Sequence, residues 1–464
     1  MLCDFVASPA AATPAKPAIV DGSKTINYAQ LDCAAGILGR HLHEARLGPG
    51  MTVAIQMPNS ADYVATLLAV WRAGATAFPL DPALTVAEVE SYVARTGATA
   101  VLRLGDPRVP PIDILLQSTL PPLPPQPFAA DATALLLLSS GTAGLPKFVT
   151  RTAASIQAAA DILQSALPCS ADDRVLGLLP FYHSAGLFNA LLATFRRGAT
   201  LYVEPFSPRQ TLATVERRRI TVLLGAPLIY RLINETPLVA PLDLSSIRIA
   251  YSSTAALSSG IVRGFEDHFG ILITQTYGST ETHEIAATRQ GQRVDPPSLV
   301  GKPYPGITLS IRDEAGLPIA PGAEGTVWVH SPGAAEAYFC DPQATAATFR
   351  QGWVVTGDLG RLDAAGDLFI LGRRRPLLSV AGKKIAPAEV EACLRSHPAV
   401  ADAVVRGASG SEGREFIKAQ VVRASAITAS ELRDFCAARL ADFKVPRQIE
   451  FVNSLSRGPL GKSS

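Results

Sequence analysis

A short stretch between residues 135 and 147 combines the residue types that bind phosphate groups. It reads LLLLSSGTAGLPK, so four leucines run into hydroxyl-bearing residues, glycines and a final lysine. An unalternating apolar run is typical of a strand buried on both faces of a parallel sheet, and open α/β folds bind ligands at the carboxyl ends of such strands. The glycines allow backbone amides to approach an anion, the hydroxyls donate hydrogen bonds and the lysine supplies positive charge. The candidate phosphate ligands are Ser139, Ser140, Gly141, Thr142, Gly144 and Lys147.

The same stretch does not match the Walker pattern of nucleotide-binding loops. That pattern requires Gly-Lys followed by Ser or Thr, whereas Pro146 precedes the lysine here. A Gly/Ser/Thr-rich turn followed by lysine is also common in ordinary surface loops. Motifs further along the chain therefore decide between the two interpretations.

The composition indicates a protein of two or more domains with a sizeable core. Of its 464 residues 48% are hydrophobic, the net charge is +2 and the mean hydropathy is +0.21. This charge gives no basis for a nucleic-acid partner, and the arginines at 217–219 are expected on a solvated helix face. The six cysteines lack CxxC spacing, and neither a signal peptide nor an apolar run of about 20 residues is present. We therefore expect a cytoplasmic protein with reduced thiols and no membrane span.

The order of predicted elements indicates an α/β fold. A hairpin turning at Asp21-Gly22 leads into a helix, and apolar residues at positions 64, 67, 68 and 71 predict a second helix that is core packing. Strands alternating with helices predict parallel or mixed sheets covered by helices. The segment PPLPPQP at 121–127 predicts a stiff linker. After residue 372, two short helices and two strands predict a small α+β domain, so we expect a large amino-terminal domain at 1–372 and a small, mobile carboxyl-terminal domain at 373–464.

Six further motifs follow the candidate phosphate loop in order. They are PFYHSAG (180–186), YSSTAAL (251–257), YGSTE (277–281), GWVVTGDLG (352–360), GRRRPLLSVAGKKIAPAE (372–389) and LSRGPLGK (455–462). With the loop, this series resembles that of the adenylate-forming superfamily, which comprises acyl- and aryl-CoA ligases, adenylation domains and luciferases. The resemblance covers about residue 17 to Lys462. It implies an enzyme that activates a carboxylic acid with ATP and Mg²⁺ as acyl-AMP, releases pyrophosphate and passes the acyl group to a thiol.

The resemblance assigns the nucleotide site to three motifs. Thr254 lies in the turn that flanks adenine, and Tyr277 and Gly278 belong to the segment that stacks on it. Thr280 would bind a phosphate oxygen. Glu281 would ligate Mg²⁺, a hard cation that prefers a few carboxylates together with phosphate oxygens.

The remaining motifs supply ribose, thiol and catalytic contacts by the same resemblance. Asp358 would accept hydrogen bonds from the ribose hydroxyls, although a glycine-flanked aspartate is also typical of a tight turn. Arg373 would contact ribose or phosphate, and Gly382 heads the loop that lines the thiol tunnel. His183 borders the carboxylate pocket, although a lone histidine is also commonly structural. Lys462 is the expected catalytic residue of adenylation, with Lys147, Thr280 and His183 as further catalytic candidates.

Departures from the family pattern affect the predicted substrate and domain movement. Arg375 stands where the hinge residue lies, Pro376 replaces the usual acidic residue of the hinge motif and fixes φ there, and Ser379 stands where many members have lysine. The aspartate that holds the ammonium group of α-amino acids is absent near His183, which disfavours such substrates.

The acceptor thiol has two candidates. The motif PFYHSAG and the residues after the phosphate loop resemble those of acyl- and aryl-CoA ligases, which favours CoA as acceptor and an acyl or aryl acid as substrate. The alternatives are the phosphopantetheine arm of a carrier protein or, in a different class, a non-catalytic nucleotide-binding relative.

Overall fold

The structure is a computed structural model of the chain. It describes residues 2, 4–139, 146–167, 169–238, 242–373, 378–380, 382–409, 415–453 and 455. Several predicted residues lie outside this part, namely Ser140, Gly141, Thr142, Gly144, Pro376 and Lys462.

The chain divides into two compact units. The first unit comprises Met1–Asp81, Ala98–Leu137 and Val149–Arg373, and the second comprises Pro82–Gly97, Leu138–Phe148 and Arg374–Ser464. The second unit thus combines the carboxyl-terminal residues with two segments from earlier in the chain. The predicted domain division at 372/373 stays a prediction.

Helices are distributed over both units. They are α1 Asp4–Ala12, α2 Tyr28–Glu44, α3 Ala61–Arg72, α4 Val86–Thr96, α5 Ile112–Leu115, α6 Ala153–Ala166, α7 Ala193–Arg196, α8 Pro208–Arg218, α9 Pro227–Asn234, α10 Ser259–Phe269, α11 Pro342–Thr348, α12 Pro387–Arg395 and α13 Ala429–Ala437. A π-helix spans Gly186–Leu192 and a 3₁₀ turn spans Asp442–Lys444. Within the described residues, no helix is both long enough and apolar enough to cross a bilayer.

Strands alternate with these helices along most of the chain. They are β1 Pro17–Asp21, β2 Lys24–Asn27, β3 Thr52–Ile55, β4 Thr76–Pro79, β5 Ala100–Leu102, β6 Thr133–Ser139, β7 Lys147–Thr152, β8 Arg174–Gly177, β9 Thr200–Val203, β10 Val222–Gly225, β11 Ile249–Ser252, β12 Ile273–Ser279, β13 His283–Ala287, β14 Leu299–Pro303, β15 Thr308–Arg312, β16 Gly325–His330, β17 Ala337–Tyr338, β18 Phe349–Arg350, β19 Trp353–Leu362, β20 Leu368–Arg373, β21 Leu378–Val380, β22 Lys383–Ile385, β23 Val400–Ser409, β24 Glu415–Arg423 and β25 Gln448–Phe451.

Two mixed sheets form the framework of the first unit. The larger has the order β15-β16-β19-β20-β14-β13-β12-β11-β10-β8-β9-β1-β2, and its run from β12 to β1 is parallel. The other has the order β17-β7-β6-β4-β3-β5, with β6, β4, β3 and β5 parallel. The predicted α/β fold with mixed and parallel sheets is confirmed.

The predicted leucine-rich strand is β6, which leads to the candidate phosphate loop. Residues 134–137 are buried, as expected for a strand covered on both faces. The fully buried Trp71 of α3 donates its indole N–H to the carbonyl of Ala134 at 2.8 Å. Helix α3 begins after Ser60, whose side chain accepts from the Tyr63 amide, and Gly74 follows its end with φ +81°. The helix predicted here as core packing is therefore confirmed.

The second unit has the predicted α+β character. Its sheet has the order β23-β24-β25, and apolar residues of α12, α13 and the sheet form one core. Within this core are Ile385, Val390, Leu394, Val405, Ile417 and Leu432.

A buried ion cluster joins α4 to the carboxyl-terminal part of the second unit. The ammonium of Lys444 lies 2.7 Å from Glu88 Oε1 and 2.7 Å from Glu389 Oε1. The Tyr92 hydroxyl donates to Glu389 Oε1 at 3.4 Å. Glu88 also completes the capping box of α4 with Thr85. Burial lowers the pKa of Lys444, but the carboxylates of Glu389 and Glu88 raise it above its ordinary value, so the lysine is charged.

Candidate active site

The YGSTE motif forms the turn between β12 and β13. A Cβ on Gly278 would lie 2.3 Å from the His283 carbonyl oxygen, so only glycine allows this approach of the two strands. The turn is held by reciprocal bonds: the Ser279 amide donates to Thr282 Oγ1 at 3.1 Å, and the Thr282 amide donates to Ser279 Oγ at 3.2 Å. This arrangement fixes Thr280 and Glu281 side by side in the turn, both half-buried.

A short hydrogen bond connects two of the predicted nucleotide ligands. The Tyr277 hydroxyl donates to Asp358 Oδ2 at 2.5 Å, and Asp358 is only 1% exposed. Asp358 lies inside β19, where it pairs with the backbone of Arg373 on β20, and not in a tight turn. Its amide donates to Thr356 Oγ1 at 3.1 Å. The structure therefore brings together Tyr277 and Asp358, which are 81 residues apart.

The YSSTAAL segment contains a backbone conformation that is rare for its residue type. Thr254 has φ +78°, an outlier for a β-branched side chain, immediately after the buried Ser253. Strained residues persist where the surrounding structure over-determines them, often at ligand sites. The predicted place of Thr254 beside adenine stays a prediction.

Glu281 suits a hard cation that is ligated mainly by a substrate. Its Oε1 accepts from the Tyr338 hydroxyl at 2.8 Å, and its backbone carbonyl accepts from the Ala335 amide at 2.8 Å. In the described part of the chain, no group of three or more His, Cys, Asp or Glu residues could hold a metal ion. One fixed, half-buried carboxylate fits Mg²⁺, which keeps few protein ligands when phosphates supply the rest.

The candidate residues of the second unit are described only in part. Ser139 is the last residue of β6 and Lys147 the first of β7, and both are half-buried. Gly382 lies in the turn between β21 and β22 with φ +81°, which requires glycine.

His183 lies in a turn that leads into the π-helix. Its amide donates to the Pro180 carbonyl at 3.1 Å, and its own carbonyl accepts from the Leu187 amide at 2.9 Å. A Cβ on Gly186 would lie 2.0 Å from the Pro180 oxygen, so glycine is required where the helix begins. The histidine is half-buried, and its predicted contact with the acid stays a prediction.

The sequence predictions missed a buried polar cluster directly behind the YGSTE turn. It consists of Asn189 in the π-helix, Ser253 after β11 and Glu284 in β13. Its only sequence signal is a second glutamate three residues after Glu281.

A separate cavity of about 250 Å³ contains none of the predicted ligands. Tyr251, Thr274, Lys302 and Tyr304 are among its lining residues. Because Thr274 lies near the start of β12 and the YGSTE motif at its end, we assign no catalytic role to this cavity.

Comparisons with known proteins agree with this geometry. The sequence profile of the AMP-binding enzyme family matches residues 6–339, and that of the AMP-binding enzyme C-terminal domain matches residues 389–462. Feruloyl-CoA synthase from Amycolatopsis sp. is 29% identical over 97% of this chain and 94% of its own length. The fatty acid–[acyl-carrier-protein] ligase ScoC from Streptomyces coeruleorubidus is 31% identical over 97% and 92%.

A solved structure extends the similarity to the fold. O-Succinylbenzoate CoA synthetase (MenE) from Bacillus subtilis, a double mutant bound to its product analogue, superposes with a TM-score of 0.90. It is 28% identical, and the match covers 99% of this chain and 97% of MenE. The chain therefore belongs to the AMP-binding enzyme family and is an ATP-dependent, AMP-forming acid–thiol ligase of the acyl/aryl-CoA ligase type.

Proposed function

We propose that this ligase activates an acyl or aryl carboxylic acid and transfers it to CoA. The carboxylate attacks the α-phosphorus of ATP, which forms acyl-AMP and releases pyrophosphate. The CoA thiol then attacks the acyl carbon, which forms the thioester and releases AMP. The observation that carries the proposal is the Tyr277–Asp358 pair beside the Thr280–Glu281 turn, in a chain that aligns along its length with CoA ligases.

In this proposal the protein acts mainly by positioning and by charge stabilisation. Asp358 accepts hydrogen bonds from the ribose, and the Tyr277 hydroxyl holds its carboxylate while the Tyr277 ring contacts adenine. Thr280 donates to a phosphate oxygen. The resemblance assigns Lys147 and the loop hydroxyls to the outer phosphates, and it assigns Lys462 to the attacking carboxylate and the α-phosphate. Its ammonium stabilises the charge that develops between them.

Mg²⁺ is proposed on Glu281 because this fixed carboxylate suits a cation whose other ligands are phosphate oxygens. The ion would neutralise phosphate charge during transfer. We also place the enzyme in the cytoplasm, since the described cysteines, at 33, 169, 340, 393 and 436, are free thiols.

The acceptor is tested by supplying both thiols to the same acyl-adenylate. The purified enzyme, ATP and a substrate acid are incubated with CoA or with a phosphopantetheinylated carrier protein, and the thioester is measured by mass spectrometry. We expect acyl-CoA to form at least about tenfold faster. Exclusive loading of the carrier would overturn the CoA assignment. The carrier is included because the relative ScoC is named as a ligase that acts on an acyl carrier protein.

Loss of the Tyr277 hydroxyl is expected to weaken nucleotide binding. Tyr277→Phe removes a hydrogen bond to a charged group, worth about 1.5–3 kcal/mol, and should raise the KM for ATP about tenfold or more. The measurement is the ATP dependence of pyrophosphate exchange. The control is Tyr28→Phe, which removes a buried hydroxyl bonded to the Ala199 carbonyl. Equal KM values for the two variants would contradict a role for Tyr277 at the ribose.

Replacement of Glu281 should alter the metal requirement. Glu281→Gln keeps the side-chain volume but removes the ionised ligand, so we expect half-maximal activity to need about tenfold more Mg²⁺. Titration of free Mg²⁺ at saturating ATP measures this change. Glu235→Gln, at an exposed ion pair with Arg231, is the matched control. An unchanged Mg²⁺ dependence in Glu281→Gln would remove Glu281 from the metal site.

A further inference from the structure

The polar cluster behind the YGSTE turn is almost inaccessible to solvent. Asn189 is 2% exposed, Ser253 4% and Glu284 4%. Glu284 Oε1 accepts from the Ser253 hydroxyl and from Asn189 Nδ2, the latter at 3.1 Å. Burial raises the pKa of the Glu284 carboxyl above its ordinary value, and the contacts with Ser253, Asn189 and Thr276 offset only part of this rise.

Two acceptor atoms of this cluster have no hydrogen-bond partner within the described residues. They are Glu284 Oε2 and Asn189 Oδ1. Buried polar atoms are nearly always bonded, because an unsatisfied one keeps the full cost of its lost hydration. When the Glu284 carboxyl is ionised both atoms are acceptors, so the missing partner in that state is a group that donates hydrogen bonds.

The cluster adjoins the segments that are proposed to hold the nucleotide. Glu284 pairs with Gly278 of the YGSTE motif across β12 and β13, and a Cβ on that glycine would lie 2.8 Å from Glu284 Cα. Ser253 precedes the strained Thr254. Asn189 lies in a π-helix, a rare form that is frequent at functional sites, and this helix follows the His183 turn.

We propose that Asn189 and Glu284 form a specificity site that binds a hydrogen-bond donor on the acyl group. The substrate would then be a carboxylic acid with a hydroxyl or amino group far from its carboxylate. This inference rests on the proposed acid activation and narrows its substrate class. Acids with an apolar end leave both acceptors unsatisfied, and a pocket built to bond a polar group discriminates strongly against such analogues.

A second buried side chain, that of Arg151, has hydrogen-bond donors without partners among the described residues, where Asn189 and Glu284 have acceptors. Arg151 lies over the Phe188 ring at 5.1 Å, and its Nε and Nη1 also lack partners in the described part of the chain. An acid with a second carboxylate would suit that guanidinium, so the test includes one.

The test compares matched acids in pyrophosphate exchange with the full-length wild-type enzyme. Benzoate, cinnamate and hexanoate are each paired with the acid that carries a hydroxyl or an amino group at the position farthest from the carboxylate, and terephthalate is the dicarboxylic acid. We expect the donor-bearing acid of at least one series to have a kcat/KM about tenfold or more above its unsubstituted partner. The hydroxyl and amino arms identify which donor is bound.

Two substitutions test whether Asn189 and Glu284 cause the preference for donor-bearing acids. Asn189→Leu removes the free amide oxygen and Glu284→Gln replaces one carboxylate oxygen by a donor, so both should reduce the preference about tenfold by lowering the kcat/KM of the donor-bearing acid more than that of its unsubstituted partner. The control is Asn234→Leu in α9, whose Oδ1 also lacks a partner among the described residues. We expect it to leave the preference unchanged.

The outcomes separate this inference from the proposed function. Exchange with some acids but no preference for donor-bearing ones, or a preference for terephthalate, overturns the specificity site alone. Exchange with no acid overturns the proposed activation as well. If Glu284 instead carries a proton that it donates to Asn189 Oδ1, both variants change kcat/KM equally for all acids of a series, which also overturns the site. The rise in the thermal unfolding temperature of the wild-type enzyme with each acid of a pair measures the same preference without a variant.

Discussion

Replacement of Lys444 by methionine is expected to lower the free energy of unfolding of the second unit by about 3–5 kcal/mol. The substitution leaves Glu88 and Glu389 buried without the ammonium that lies 2.7 Å from each. Amide hydrogen exchange in β23 and β24 measures the loss, because it reports on this unit separately. Adding Glu389→Gln should recover part of the stability, since it removes one of the two uncompensated charges.

The matched control for Lys444 is another lysine of the same unit. Lys418 pairs with Glu450 at 2.9 Å, and their side chains are 33% and 45% exposed, far more than those of the buried cluster. Lys418→Met should therefore change hydrogen exchange far less than Lys444→Met. Equal protection in the two variants would contradict a structural role for the buried cluster.

Replacement of Lys462 by alanine is expected to reduce acid-dependent pyrophosphate exchange by about 10²–10³-fold. Removing one preorganised group that stabilises transition-state charge typically has an effect of this size. The same variant should still convert a supplied acyl-adenylate and CoA to the thioester, because the resemblance gives Lys462 a role in the first half-reaction only. Lys418→Ala serves as the control for loss of an unrelated lysine.

Either of two results would remove Lys462 from the proposed mechanism. One is exchange at the wild-type rate. The other is an equal loss of both half-reactions, which would indicate damage to the second unit.

The sequence predicted those parts of the fold that local patterns determine. The helix at 61–72 was predictable because its apolar positions recur at helical spacing. The β6 strand was predictable from its leucine run. The Lys444 cluster was not, because its partners Glu88 and Glu389 lie 356 and 55 residues away in the chain.

The candidate site was predictable where the residues belong to an ordered series of motifs. Tyr277 and Asp358 were both named from their motifs, but only the pairing of β19 with β20 explains why the aspartate lies in a strand. The cluster of Asn189, Ser253 and Glu284 was missed, since each of these residues is unremarkable in sequence. Their significance depends on burial and on unsatisfied atoms, which periodicity does not reveal.

Acid-dependent exchange of labelled pyrophosphate into ATP is the most direct test of the central claim. The panel contains benzoates, cinnamates, fatty acids and amino acids, with the full-length enzyme and Mg²⁺. We predict exchange that requires an added acid, falls to background in Lys462→Ala and is weakest with α-amino acids. ATP binding without exchange across the whole panel would contradict the claim and favour a non-catalytic nucleotide-binding relative.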